Sequence, residues 1–182
     1  MSDLAQDFEK TGRLWLRAAL SASEVESFVR CFAQDGRPGA RLDLDEAFAP
    51  GAPLARALAP VVGKARAVRA VAFDKGAKAN WGAPWHQDRI IAVRGRHEVP
   101  GYGNWSCKGG TWHCEPPLAL LQGMFFVRLH VDPAHADNGP MEIAVGSHLA
   151  GAVRDSEAEA RAADHAQESA LARLATFWCF TC

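Results

Sequence analysis

The feature that most constrains the fold of this chain is an alternation, beginning after Met124, between one apolar face and one that is mostly polar. One face of the implied strand carries apolar residues, namely Phe125, Val127, Leu129 and Val131. The other face carries Phe126, Arg128, His130 and Asp132. Such alternation is typical of a β-strand with one buried apolar face, and the polar face looks either onto a polar interior or onto water. The segment 137–140, Asp-Asn-Gly-Pro, predicts a tight turn, and residues 141–145 are expected to return as the partner strand of a hairpin.

A second strand-like segment carries two residue types that bind metals. His86 and Asp88 precede an apolar run over residues 90–93. On an extended strand their side chains point the same way, about 6.6 Å apart along the chain. An imidazole and a carboxylate that converge in this way are two of the three ligands in the facial His, Asp, His arrangement that holds Fe(II). The alternative is a surface polar pair beside a strand.

Composition limits the classes of partner. With 182 residues, 48% of them hydrophobic, the chain is long enough for a single domain, residues 1–182, that buries about 70% of its unfolded surface. The formal net charge of -1 supplies no field that would attract nucleic acid or an anionic membrane. The N-terminus lacks the order of a signal peptide, no apolar run is long enough to span a membrane, and the 5 Cys are scattered. We therefore expect a cytoplasmic protein with reduced thiols and a small-molecule partner.

Several further elements follow from periodicity and capping signals. They are a strand within residues 11–20, a helix over 21–36, a helix over 54–62, a strand over 65–73 and an exposed helix over 155–174. At the start of the first helix, Ser21 with Glu24 and Ser23 with Glu26 both fit a capping box. The segment 94–122 is rich in Gly, Pro and Trp, and a long irregular loop in a compact domain is often a lid or a binding wall. Within that segment, the spacing of Cys107, His113 and Cys114 matches no paired zinc motif.

Several short motifs occur together in an order and spacing that resemble a known enzyme family. They are Phe73-Asp74-Lys75, Asn80-Trp81, Trp85-His86-Gln87-Asp88, Arg128-x-His130, Asn138-Gly139-Pro140 and Gly146-Ser147-His148. Over residues 66–151 the chain resembles the phytanoyl-CoA dioxygenase family. The resemblance implies a double-stranded β-helix, a jelly roll of two facing sheets with flanking helices. It also implies a dioxygenase that uses Fe(II), 2-oxoglutarate and O2 to hydroxylate a small organic substrate.

The resemblance also implies roles for individual residues. His86 and Asp88 become iron ligands. Arg128 falls where the family places a residue beside the keto acid, and Lys75 is a second candidate for that contact. The candidates for contact with the substrate are Trp85, Trp81, Asn80, Lys108 and His113.

The chain departs from the family after residue 173. There the family has a distal His as third iron ligand and an Arg that clamps the far carboxylate of 2-oxoglutarate, and we find neither. Residues 175–182 thus look like an aberrant tail on an incomplete jelly roll. A reading frame moved by two bases permits Gly-Asp-Val-Leu-Val-Leu-His here, as the family would show, so a frameshift is our hypothesis. We expect weak metal and cosubstrate binding and negligible activity.

Two other functions remain open at this stage. The first is a non-catalytic, truncated β-domain or binding module that uses the segment 94–122. The second is a cupin-like metal isomerase or hydrolase, in which His130 or His148 completes the metal site.

Overall fold

The computed structural model describes residues 3–30, 39–41, 45, 48–63, 66–73, 82–172 and 176–180. Within these ranges the helices are α1 (Asp3–Thr11), α2 (Ala22–Arg30), α3 (Pro53–Val62), α4 (Leu118–Leu121) and α5 (Ala158–Ala163). The strands are β1 (Arg13–Leu16), β2 (Gly39–Arg41), β3 (Val71–Phe73), β4 (Ile91–Val93), β5 (Gly103–Lys108), β6 (Thr111–Glu115), β7 (Phe126–His130), β8 (Glu142–Ala144), β9 (Gln167–Ser169) and β10 (Thr176–Phe180). The strands pair in antiparallel sheets, so the prediction of a mainly β fold with flanking helices is confirmed.

The central sheet has the strand order β1-β10-β7 and separates an apolar face from a polar one. Its apolar face contributes Leu14, which is 4% exposed, together with the partly buried Val127 and Leu129. These side chains pack with a helical layer in one apolar cluster whose buried members include Leu20, Val25, Leu54 and Leu58. The prediction that the strand after Met124 buries its apolar face is therefore confirmed, because Val127 and Leu129 of β7 pack against the core.

Helix α2 begins at the capping box that the sequence predicts. The backbone N–H of Ser21 donates to Oε2 of Glu24 at 2.8 Å, and the N–H of Glu24 donates to Oγ of Ser21 at 3.3 Å. These bonds, with that of Arg56 to Glu24, lower the pKa of the Glu24 carboxyl to about 2. The reciprocal bonds satisfy donors that the first turn leaves without partners. Val25, which follows directly, is 2% exposed in the core.

Two further sheets are formed by strands that follow, in the chain, the segment that carries the predicted metal ligands. Strands β4, β6 and β5 form one sheet, in which Ile91 pairs with Cys114 and Cys107 pairs with Trp112. Strands β8 and β9 form a separate two-stranded ribbon, in which Ile143 pairs with Glu168. The segment 94–122, predicted as a long loop, thus contains the hairpin β5–β6 and the short helix α4. The loop prediction is wrong there because the two strands pair locally across Gly109 and Gly110.

The predicted hairpin across residues 137–140 is correct as a turn and wrong as a strand pairing. The Asn138 side chain accepts from the backbone N–H of His135 at 2.9 Å and donates to the carbonyl of Pro133 at 3.0 Å, and Gly139 has φ 66. Strand β7 nevertheless pairs with β10, and β8 pairs with β9. Turn chemistry specifies a local reversal of the chain, but long-range partners decided which strands pair.

The helix predicted over residues 155–174 is wrong beyond Ala163. A 3-10 turn (Asp155–Glu157) and α5 are followed by β9, which pairs with β8, and by Ala170, which is 0% exposed. The Ala-rich composition favours a helix, but strand pairing and burial override that propensity. Residues 176–180, predicted as an aberrant tail, form β10 between β1 and β7. No helix in the described ranges has both the length and the apolar character that crossing a membrane requires.

Replacement of Leu14 by Ala tests the apolar face of the central sheet. Leu14 is 4% exposed and lies in the main core cluster, so we expect Leu14→Ala to lower the free energy of unfolding by about 2–5 kcal/mol. Leu149, which is 70% exposed, supplies the matched control. Leu149→Ala should change the free energy of unfolding by less than about 0.5 kcal/mol. Chemical denaturation followed by circular dichroism measures both changes in the free energy of unfolding. A change for Leu14→Ala as small as that for Leu149→Ala would contradict the described core.

Candidate functional site

The segment before β4 is held in place by two side chains on one side of the chain. The amide of Gln87 donates to the carbonyl of Gly151 at 2.9 Å and accepts from the N–H of Val153 at 2.8 Å. Arg89 donates to the carbonyl of Val153 at 3.0 Å and pairs with Glu115, donating from Nε at 2.7 Å. The Arg89 guanidinium and Asn104 hold the pKa of the Glu115 carboxyl below its ordinary value against the opposing effect of burial. These bonds anchor residues 87 and 89 to the segment 151–153.

The predicted metal pair lies at the alternate positions of this segment. His86 Nε2 is 3.7 Å from Asp88 Oδ1, and the two side chains are 49% and 46% exposed. His86 Nδ1 is 2.7 Å from the carbonyl oxygen of Pro84. When Nδ1–H donates to that carbonyl, Nε2 keeps its lone pair on the side of Asp88, which is the tautomer that binds a metal. The structure therefore brings together the imidazole and the carboxylate that the sequence singled out.

A facial iron site requires three protein ligands. Over the described ranges, no group of three or more His, Cys, Asp or Glu side chains could hold a metal ion. His148, an alternative third ligand, instead donates from Nε2 to the carbonyl of Glu9 at 3.0 Å. Its ring lies so close to Gly12 that a Cβ there would be 2.4 Å from Nδ1. Neither His130 nor His148 belongs to a group of three potential metal ligands among the described residues, so the structure gives no support to the prediction that one of them completes the metal site.

Three of the other predicted site residues, Lys75, Asn80 and Trp81, fall outside the described part of the chain. Lys108 ends β5 and is exposed, while His113 is 4% exposed on β6 and pairs in register with Ala92. Trp85 is half-buried beside His86 in the chain. Among the described candidates, Trp85 is the one next to the predicted metal pair in the sequence.

The two cysteines of the β5–β6 hairpin are free thiols in different environments. Cys107 is exposed, whereas Cys114 is buried at 0% exposure. Burial raises the pKa of the Cys114 thiol, which keeps it protonated and unreactive. With His113 they form no metal site in the described part of the chain.

The polar face of β7 faces inward rather than toward water. His130 is 6% exposed, Arg128 is half-buried, and the ring of His130 stacks on Trp15 of β1 at a centroid distance of 6.4 Å. Burial, and secondarily the charge of Arg128, lower the pKa of His130 to about 4. Burial also lowers the pKa of Arg128. His130 is therefore a neutral imidazole at pH 7, beside a desolvated guanidinium.

Glu168 of β9 is a site residue that the sequence patterns did not indicate. It accepts from Arg13 Nε at 2.7 Å and from Trp15 Nε1 at 2.6 Å. These bonds join the polar face of the central sheet to the β8–β9 ribbon. Glu168 lies within the segment predicted as an exposed helix, and the contact with Arg13 and Trp15 joins residues about 150 positions apart, so local patterns did not indicate it.

The depressed pKa of His130 predicts a specific acid sensitivity. The folded-state pKa of about 4 lies below the ordinary 6.5, so the unfolded chain binds the proton more readily between these values. We expect the contribution of His130 to the free energy of unfolding to stay constant above about pH 6.5. By pH 4 this contribution should have fallen by as much as about 3 kcal/mol. His130→Phe should remove this part of the pH dependence in denaturation series. Parallel wild-type and variant profiles from pH 7 to 4 would contradict it.

Comparison with known proteins does not assign this chain to a family. No protein-family model matches the chain, and no curated protein or solved structure matches it either. The resemblance to the phytanoyl-CoA dioxygenase family thus rests on the motifs quoted above.

Proposed function

We propose that this chain is an Fe(II)- and 2-oxoglutarate-dependent dioxygenase by descent, which acts on a small organic substrate. The observation that carries the proposal is the pairing of His86 Nε2 with Asp88 Oδ1 at 3.7 Å on one side of the segment before β4. Neighbouring ligands of a metal at about 2.0–2.2 Å stand about 3 Å apart, so a small side-chain adjustment would bring both atoms onto one ion. His86 and Asp88 would hold Fe(II), which together with 2-oxoglutarate and O2 would supply the chemistry for oxidation of a C–H bond.

The surrounding residues support a metal role for this pair. The Pro84 carbonyl orients the His86 ring, as the outer partners of metal-bound histidines do. The bonds of Gln87 and Arg89 to the segment 151–153 restrain the backbone on which His86 and Asp88 stand. The pair is half-exposed, so an ion and a small cosubstrate have access to it.

Two further features agree with the jelly-roll architecture that the resemblance implies. The polar face of the central sheet is turned toward β9, because Arg13 and Trp15 both donate to Glu168. Two β layers that face each other across polar side chains are typical of the architecture in which this family builds its site. The half-buried guanidinium of Arg128 lies on that inner face and is the candidate that neutralises a carboxylate of 2-oxoglutarate.

A non-catalytic β-domain is the second candidate function. Among the described residues, His86 and Asp88 have no third protein ligand, and two ligands hold iron more weakly than three. In this alternative the chain binds a small molecule without turning it over, and the β5–β6 hairpin with its T-shaped Trp105–Trp112 pair supplies a surface. Metal affinity and turnover separate the two candidates.

Fe(II) binding tests the metal pair directly. We expect His86→Ala and Asp88→Ala each to weaken Fe(II) binding more than ~10-fold, because each removes a direct ligand. An anaerobic competition titration against a chromophoric chelator measures the affinity. The adjacent exposed pair His97 and Glu98 provides matched controls, and His97→Ala and Glu98→Ala should leave the affinity unchanged. If all four variants keep the wild-type affinity for Fe(II), the proposed metal pair is refuted.

Oxygen consumption tests whether this chain turns over. With Fe(II) and 2-oxoglutarate present, we expect negligible oxygen uptake from the 182-residue chain, because two protein ligands hold the metal weakly. An oxygen electrode measures uptake with and without the keto acid. Robust uptake that His86→Ala abolishes would contradict this expectation and would favour a complete catalytic site.

A further inference from the structure

The ring of His148 fills the space between the end of helix α1 and the turn that follows β8. Its Nε2–H donates to the carbonyl of Glu9 at 3.0 Å. That carbonyl is one of the last four of α1, which a helix leaves without partners of its own. Gly12 makes room for the ring, because a Cβ at Gly12 would stand 2.4 Å from Nδ1 of His148. The backbone N–H of Gly146 donates to the carbonyl of Thr11 at 2.8 Å, so two hydrogen bonds hold the turn against the helix.

The same turn leads directly to the backbone that anchors the predicted metal segment. The 3-10 turn (Ser147–Ala150) is followed by Gly151, whose N–H donates to the carbonyl of His148 at 3.3 Å. The carbonyl of Gly151 and the N–H of Val153 both bond to the side-chain amide of Gln87. A cavity of about 10 Å³, with room for at most one water molecule, is lined in part by His148, Gln87 and Gly151. His148 therefore lies beside the anchoring bonds in space as well as in the chain.

Packing restrains this turn only weakly. None of its four residues is buried, and the side chain of Leu149 is exposed. Gly146 and Gly151 flank the turn with φ values of 80 and 74, and glycine is the residue with the widest choice of other backbone conformations. We therefore expect the contact of His148 with α1 to decide where the turn lies.

We propose that His148 is a positioning residue for the metal pair. It holds the turn against α1, the turn places the backbone of residues 151–153, and that backbone fixes Gln87 on one side of its segment. His86 and Asp88 are then directed to the other side, because side chains alternate along an extended segment. The docking of α1 and the geometry of the metal pair are thereby coupled. The anchoring role stands on the described hydrogen bonds, while its effect on Fe(II) binding rests on the proposed function.

Hydrogen exchange of the Val153 amide tests the anchoring role in the metal-free protein. The N–H of Val153 donates to Oε1 of Gln87 at 2.8 Å, so its exchange rate reports on the anchor. In excess EDTA, we expect His148→Ala to speed this exchange by about 5-fold or more, because it removes the worth of one hydrogen bond. His148→Gln keeps a donor near the position of Nε2 and should restore most of the protection. NMR spectra of the folded protein in D2O measure the rates.

His165 supplies a matched control of the same residue type with the same kind of contact. Its Nδ1 lies 3.1 Å from the carbonyl oxygen of Val145, and its side chain is half-buried like that of His148. His165→Ala removes a comparable contact beside the β8–β9 ribbon and leaves the contact with α1 in place. We expect it to leave the exchange rate of Val153 unchanged, which separates positioning from a general loss of stability.

Gly12→Ala tests the same contact from the side of the helix. A Cβ at Gly12 displaces the His148 ring, so this variant should speed the exchange of Val153 as His148→Ala does. When the ring is already absent, the added methyl group meets no imidazole. Gly12→Ala in the His148→Ala background should therefore cause no further change in the rate. Where His148→Ala does not fold, Gly12→Ala decides the matter.

Fe(II) affinity tests the effect on the metal pair. We expect His148→Ala to weaken Fe(II) binding about 5-fold, less than the loss of a direct ligand does, because His148 acts through the backbone. His148→Gln should restore the affinity. Leu149→Ala changes an exposed side chain of the same turn and should keep the wild-type affinity. Anaerobic competition against a chromophoric chelator measures all three variants.

Three results would overturn the positioning role. They are equal exchange of Val153 in wild type and His148→Ala, equal acceleration by His148→Ala and His165→Ala, and an Fe(II) affinity that depends on His86 and Asp88 but not on His148. A different result refutes the proposed function instead. If His148→Ala speeds the exchange while neither His86→Ala nor Asp88→Ala changes Fe(II) affinity, the metal pair is refuted and the anchoring role of His148 stands.

Discussion

The pairing of β10 with β1 on one edge and with β7 on the other is the interaction on which the rest of the structure depends. It joins residues near the two ends of the chain, so that Trp15, Trp178 and Arg128 share one row of the ladder. That register turns Val127 and Leu129 toward the helical core and leaves Arg128 and His130 on the opposite face. A shift by one residue would exchange the two faces and place a guanidinium among leucines. Register and core packing therefore enforce each other.

A different interaction orients the proposed metal pair, His86 and Asp88. The side-chain amide of Gln87 makes two hydrogen bonds to the backbone of residues 151–153, as a neighbouring strand would do. Because side chains alternate along an extended segment, anchoring Gln87 and Arg89 on one side directs His86 and Asp88 to the other. The spacing of the metal pair is thus a consequence of polar anchoring in a segment without a regular strand ladder. The motif and its supporting residues belong to one structural unit.

The sequence predicted those features that depend on nearby residues. The capping box at Ser21 and Glu24, the alternation along β7 and the common face of His86 and Asp88 all follow from local spacing. The partner of β7 and the contact of Glu168 with Trp15 do not, because each joins residues about 50 or 150 positions apart in the chain. The segment after Ala163 shows the same limit, since the composition around it favours a helix while pairing with β8 forms a strand.

The acid sensitivity of the fold follows from the position of His130 in the central sheet. Burial, and secondarily the charge of Arg128, oppose protonation of this imidazole. The unfolded chain takes up that proton more readily, so acidification favours unfolding. The register that places His130 and Arg128 on the inner face of β7 therefore also makes the fold sensitive to acid.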